Sequence, residues 1–175
     1  MRRSYLNQVF KIKKAFRIPF ISAVTLLFVL LALSLFDGQI WEQILIAAIC
    51  VVTLVIAIET REREFTVFEN GLRIKKFFRT KDFTWAEITH LGVVIMRNKA
   101  YFLLTTTKGF YVFSNLLQNH TLLIRHLADK LGEEKVEAEV KSYLEDPVER
   151  TSLVVLTWIA LIIIVAIILT KLIKL

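Results

Sequence analysis

The sequence predicts an α+β membrane protein in which three transmembrane α-helices carry a small antiparallel β domain, inserted between the second helix and the third. Three observations predict this. Of the 175 residues, 55% are hydrophobic, more apolar material than a single soluble domain of this length buries. The apolar residues are gathered into long runs at the two ends of the chain. Between them, charges return every few residues among short stretches rich in Phe, Val, Ile, Thr and Tyr.

The membrane runs are Pro19 to Phe36, Ile40 to Ile58 with Glu42 near its start, and Leu153 to Thr170. A helix needs about 20 apolar residues to cross about 30 Å of hydrocarbon at a rise of 1.5 Å per residue, and each run has that reach. Leu-rich and β-branched runs without polar alternation also argue against barrel strands. The first run follows six bases and is longer than a secretory signal core. It lacks a small-x-small cleavage site, so it is expected to be retained as a helix.

The formal charge of +7 divides unevenly along the chain. Arg2, Arg3, Lys11, Lys13, Lys14 and Arg17 precede the first run with no acid, whereas Glu59 to Ser152 carries 15 bases against 14 acids. Lys and Arg beside membrane helices set topology by staying on the cytoplasmic side. The basic excess therefore reports orientation and not nucleic-acid binding. These six residues place the N-terminus inside, the Asp37-Gly38-Gln39 turn outside, the inserted domain inside, and the C-terminus with Lys171 and Lys174 outside. Tyr5 to Arg17, with Leu6, Val9, Phe10 and Phe16 among its lysines, reads either as an amphipathic helix along the inner surface or as a basic tail.

Within the insert the apolar spacing becomes that of strands. Phe65 to Phe68 and Leu72 to Phe78 flank Glu69-Asn70-Gly71, whose Asn-Gly pair tolerates positive φ. After a turn at Arg79-Thr80-Lys81, a third strand holds Phe83 and Trp85. Leu91 to Arg97 and Tyr101 to Thr106 surround Asn98-Lys99, and Lys108-Gly109 leads into Phe110 to Phe113. A helix is expected from Asn115, with Gln118 at capping-box spacing, Leu116, Leu123, Leu127 and Leu131 on one face, and Gly132 as its stop. A second helical stretch spans Glu133 to Leu144. Asp146-Pro147-Val148-Glu149 has the pattern of a helix start and is expected to open the third membrane helix. The resulting organisation is a basic segment 1–18, a membrane hairpin 19–58, a domain 62–132, an amphipathic connector 133–146 and a third membrane segment 147–175.

The stretch around Glu69-Asn70-Gly71-Leu72-Arg73-Ile74, then Phe83-Thr84-Trp85-Ala86-Glu87-Ile88-Thr89-His90-Leu91, the following hairpin, the Lys108-Gly109 turn and the closing helix resemble the bacterial pleckstrin-homology-like (PH-like) domains of small prokaryotic membrane proteins. The resemblance covers about half the chain. It implies a PH-like, partly open antiparallel β-barrel capped by a C-terminal helix, a multi-pass protein of the prokaryotic inner membrane, and binding or assembly in place of catalysis.

The residues themselves supply little chemistry. Cys50, the lone cysteine, lies in the second apolar run, and His120 and His126 are six apart, so on one helix they diverge by about 120°. The five glycines are isolated, which leaves no phosphate-binding loop. No enzyme activity, metal or cofactor is expected.

Two features point to binding. Arg73, Lys75, Lys76, Arg79 and Lys81 form a basic cluster, read either as a contact with anionic lipid or as a solvated edge face. Phe77 and Phe78 break the strand alternation, so one of them is expected to face outward. The leading expectation is a non-catalytic accessory or scaffold protein that docks a membrane-protein partner or a second copy of itself. Its alternative is an anionic-lipid-binding or lipid-handling protein, and the third reading is a regulatory subunit of a membrane enzyme or transporter. Membrane lipids are expected partners and nucleic acid is not.

Overall fold

A computed structural model of the chain describes residues 8–174, which divide into two compact units, one of residues 14–61 with 152–174 and one of residues 8–13 with 62–151. Arg2, Arg3, Tyr5 and Leu6 lie outside the described residues.

The first unit holds three long helices, α1 (Lys14–Asp37), α2 (Ile40–Glu62) and α5 (Ser152–Lys174). All three are long and apolar enough to cross a membrane. Ile44, Leu45, Val51, Val52, Ile162 and Ile163 leave their side chains exposed, as lipid-facing residues do. The helices share a small core of Leu30, Ile46, Cys50 and Ile168. The α1–α2 turn is closed by Gly38, whose N–H donates to the Ser34 carbonyl at 2.7 Å. A Cβ at this position would sit 2.3 Å from that same oxygen, so the turn needs glycine. Lys171 of α5 pairs with Glu42 of α2 at 2.5 Å.

The second unit contains two antiparallel sheets. One has the order β1-β2-β3-β4, formed by Gln8–Lys11, Glu64–Val67, Gly71–Lys76 and Arg79–Thr84. The other has the order β5-β6-β7, formed by Ile88–Met96, Lys99–Thr106 and Gly109–Ser114. Alternate residues of each strand point inward. Phe10, Phe65, Leu72, Ile74 and Phe83 of the first sheet are buried, as are Leu91, Val93, Phe102, Leu104 and Phe113 of the second. The rings interlock between sheets, Phe65 with Phe113 at 5.0 Å and Phe83 with Tyr111 at 4.9 Å between centroids. Helix α3 (His120–Leu131) adds Leu123, Ile124 and Leu127 to this core, and α4 (Ala138–Glu145) adds Val140 and Tyr143.

Four features differ from the sequence expectations, each for a local reason. The basic N-terminal stretch contributes a strand, neither a surface helix nor a tail. Phe10 and Ile12 are buried while Lys11 is exposed, a period of two, and Lys11 pairs with Glu64 across the β1–β2 ladder. Helix α3 begins at His120 and not at Asn115, because the Asn115 side chain is buried and its Nδ2 donates to Asn98 O at 3.2 Å and Val148 O at 2.7 Å. Asp146 ends α4, its N–H donating to the Ser142 carbonyl. Pro147, which lacks an N–H, stops that helix, and α5 starts only at Ser152. The 133–146 stretch is part of the domain core and not a connector beside it, since Val140 and Tyr143 are fully buried.

A polar junction, buried at His120 and Tyr143, ties these ends together. The Tyr143 hydroxyl donates to Val148 O at 3.1 Å and lies 2.8 Å from His120 Nε2, while Lys13 pairs with Glu149. Burial pushes the Tyr143 hydroxyl up to about 12, so it stays neutral. Burial, with the Lys13 cation nearby, pushes the His120 imidazole below its ordinary value of 6.5. The unfolded chain then binds more protons than the folded one, so stability falls as pH drops below 6.5. Unfolding of the detergent-solubilised protein should show this loss, and His120→Gln should flatten it. In the same assay, Phe10→Ala should cost about 3 kcal/mol and the exposed Val9→Ala less than about 0.5; equal effects would remove β1 from the sheet.

Candidate functional site

The sequence places five bases together on β3 and β4, and the pleat of the sheet separates them. The register pairs Arg73 with Asp82, Ile74 with Lys81, Lys75 with Thr80 and Lys76 with Arg79. Because neighbours on a strand face opposite ways, Arg73 and Lys75 lie on one face and Lys76, Arg79 and Lys81 on the other.

The first face is neutralised. Arg73 forms a two-pronged pair with Asp82 at 2.6 and 3.0 Å and lies 4.9 Å above the Phe68 ring. The guanidinium holds the Asp82 carboxyl below the usual carboxylate range. Lys75 pairs with Glu62 at 2.5 Å, which raises the lysine above its ordinary value. A cavity of about 370 Å³ beside Arg73 is lined by both members of the Arg73–Asp82 pair, so it carries no net charge.

The second face carries the other three bases. Ile74, Lys76, Phe77, Arg79, Lys81 and Tyr111 line a recess of about 480 Å³, with three bases and no acid among them. Its floor is apolar, and Lys81 Nζ lies 5.4 Å over the Tyr111 ring. Tyr111 comes from β7 of the other sheet, held there by its edge contact with Phe83. The chemistry that fits is an anion against Arg79 and Lys81 with an apolar portion along Ile74, Phe77 and Tyr111.

The turn beside this recess is Phe77-Phe78, and Arg79, Thr80 and Lys81 belong to the returning strand. Lys76–Arg79 is the last ladder pair, so only two residues turn the chain, and both have positive φ, 47° and 59°. That conformation is the one a two-residue hairpin needs, and it favours Asn-Gly. Side chains with a Cβ take it at a cost of order 1 kcal/mol each. Both phenylalanines are also exposed, 42% and 73%. The turn therefore breaks the rules of local backbone preference and of apolar burial at the same two residues.

Strand pairing locates this tip within the unit. Lys75 pairs with Glu64 and Glu64 with Lys11, so the tip shares an end of the sheet with the residues that lead into α1 at Lys14 and out of α2 at Glu62. Of the remaining bases expected to set topology, Lys11 pairs with Glu64 at 3.1 Å, Lys13 with Glu149, and Lys14 and Arg17 lie in the first turn of α1.

Elsewhere, His90 Nε2 lies 2.7 Å from Glu137 Oε1, and the histidine holds that carboxyl below its usual range. The carboxylate sits over Gly92, where a Cβ would come within 2.6 Å of Glu137 Oε2. This pair joins β5 to the segment before α4 and leaves its polar atoms satisfied. Among the described residues, no three His, Cys, Asp or Glu side chains are placed to share a metal ion.

Comparison with known protein families, curated proteins and solved structures finds no match to this chain.

If Phe77 and Phe78 serve something other than the turn, replacing them with residues that suit it should stabilise the fold. The Phe77→Asn, Phe78→Gly variant in detergent should gain on the order of 1 kcal/mol, a rise of a few degrees in thermal midpoint. A loss would show that the rings support the fold itself.

Proposed function

We propose that this chain is a non-catalytic membrane protein whose soluble unit is a PH-like domain, and that its β3–β4 tip engages anionic lipid at the cytoplasmic face of a prokaryotic cell membrane. The observation that carries this reading is the pair of exposed rings in a positive-φ turn, bordered by Lys76, Arg79 and Lys81. An interfacial contact wants apolar side chains to enter the acyl boundary and cations to meet phosphates. Three bases near such a surface contribute about 1 kcal/mol each. Burying what remains exposed of two phenylalanine rings adds a further amount of order 1 kcal/mol per ring.

The PH-like reading is supported by the arrangement of four strands, then three, then a helix. The N-terminal segment supplies the first strand, so the α1–α2 hairpin interrupts the sheet between its first two strands. The bases before α1 support a cytoplasmic domain.

A second reading, docking of a membrane-protein partner or another copy, has its own observation. On the outer face of the second sheet Val94, Leu103, Phe110 and Val112 are all exposed. On that reading the protein is an accessory or scaffold subunit.

Phe78→Cys in a Cys50→Ala background, labelled with an environment-sensitive fluorophore and reconstituted in nanodiscs, tests the lipid reading. Quenching by brominated lipid should rise when anionic lipid replaces zwitterionic lipid. It should fall with added salt, and be lost when Lys76, Arg79 and Lys81 are all changed to Glu. Quenching indifferent to lipid charge would reject anionic-lipid engagement by this tip.

A further inference from the structure

The hairpin at the end of the second sheet has a composition that its strand pairing does not explain. The last three residues of β5, Val94, Ile95 and Met96, are all exposed, at 57%, 46% and 60%. Alternation should bury one of them. Ile95 is two residues beyond buried Val93 and shares its face, yet it pairs with Ala100, the last buried residue of β6 on this side, so the core ends there. The hairpin projects past the core and turns through Arg97-Asn98, with Arg97 at a φ of 53°. The tip is basic as well as apolar, because Arg97 lies in the turn, Lys99 follows it, and no acid occurs between Ile88 and Lys99.

Hydrogen bonds fix where this tip lies in the unit. Asn115 Nδ2 donates both to Asn98 O in the turn and to Val148 O. Val148 is followed four residues later by Ser152, the first residue of α5, so at most about 14 Å of chain separates them. The neighbouring residue Leu116 accepts from the Lys13 N–H at 3.0 Å, and α1 begins at Lys14. Arg150 lies over the Tyr101 ring and donates to Ser114 Oγ, which holds the chain just before α5 to the same end. The β5–β6 tip therefore occupies the end of the domain from which the chain passes into two apolar helices.

We propose that the β5–β6 tip is a second membrane-interface contact, in which Ile95 and Met96 enter the boundary between head groups and acyl chains while Arg97 and Lys99 meet lipid phosphates. A lipid surface is the occupant that fits. The tip is narrow, with a basic turn at Arg97-Asn98 and exposed apolar residues on the strand just behind it, and cations beside exposed apolar side chains suit an interface. An unbranched methionine adapts to a fluid environment. The bilayer reaches this end of the domain through the covalent chain and needs no further partner to arrive. The contact involves a different hairpin from the one carrying the proposed function and does not depend on it.

The test uses the full-length protein in nanodiscs, with Cys50→Ala and one labelled cysteine at a time: Met96→Cys, Phe78→Cys on the first tip, and Asn70→Cys in a turn at the opposite end of the domain. Each replaces an exposed residue, so none removes a core contact. The label at 96 should be quenched by brominated lipid several-fold more than the label at 70. If the label at 96 matches the label at 70 while the label at 78 is quenched, this proposal is overturned and the function proposed for the first tip stands. Quenching at 96 without quenching at 78 supports the contact proposed here and overturns the function proposed for the first tip. A label at 96 shielded from a water-soluble quencher yet untouched by brominated lipid would show that protein covers the tip, which also overturns the proposal.

Discussion

Pairing between β1 and β2 is the constraint on which the rest of this structure depends. The two strands are neighbours in the sheet, with Lys11 opposite Glu64, yet the whole of α1 and α2 lies between them in the chain. A chain that leaves the sheet for an apolar solvent and must return to the adjacent strand can do so only after an even number of crossings. Two helices of 24 and 23 residues joined by Gly38 and Gln39 meet that requirement with a two-residue turn that needs glycine. The ladder between β1 and β2 covers an edge of β2 that would otherwise present unpaired N–H and C=O groups. Lys11 and Lys13 form ion pairs in the unit that holds the two sheets and also belong to the basic segment that precedes α1.

The same ladder organises the charged and apolar surface. It aligns the end of β3 with the segments leading to and from the membrane helices, and the hairpin ends at Phe77-Phe78 and at Ile95-Met96 carry apolar side chains beyond the core. At most positions local preference and tertiary packing agree, as at Lys108-Gly109, where Gly109 takes the positive φ that favours glycine. They conflict at Phe77-Phe78, where the backbone asks for Asn-Gly and two phenylalanines occur. Such conflicts concentrate where a protein binds something, because selection for contact outweighs a cost of about 1 kcal/mol per residue in turn stability.

Much of the fold was legible in the sequence. The three apolar runs became helices because length and hydrophobicity suffice to specify a membrane helix. The strand pattern from Phe65 to Phe113 and the leucine face of α3 were likewise visible as periods of two and 3.6. Less legible were the ends of elements and everything that depends on contacts distant in sequence. Asn115 has the spacing of a helix cap, but its side chain is recruited by Asn98 and Val148, residues 17 and 33 positions away. Asp146-Pro147 suits a helix start equally well as a helix stop, and only the burial of Tyr143 shows that α4 occupies the preceding turns.

By itself the sequence determined that the chain meets a membrane, that an antiparallel domain lies between the second and third apolar helices, and that bases and aromatic residues crowd its second hairpin. These are consequences of local composition and period, and they need no knowledge of neighbours. The tertiary structure alone decided that the N-terminal segment is a strand, that the pleat divides five bases between two faces, two on one and three on the other, and that Tyr111 lines the recess beside the three. Register and the packing of one sheet on another are relations between segments far apart in the chain, and no single stretch of residues encodes them.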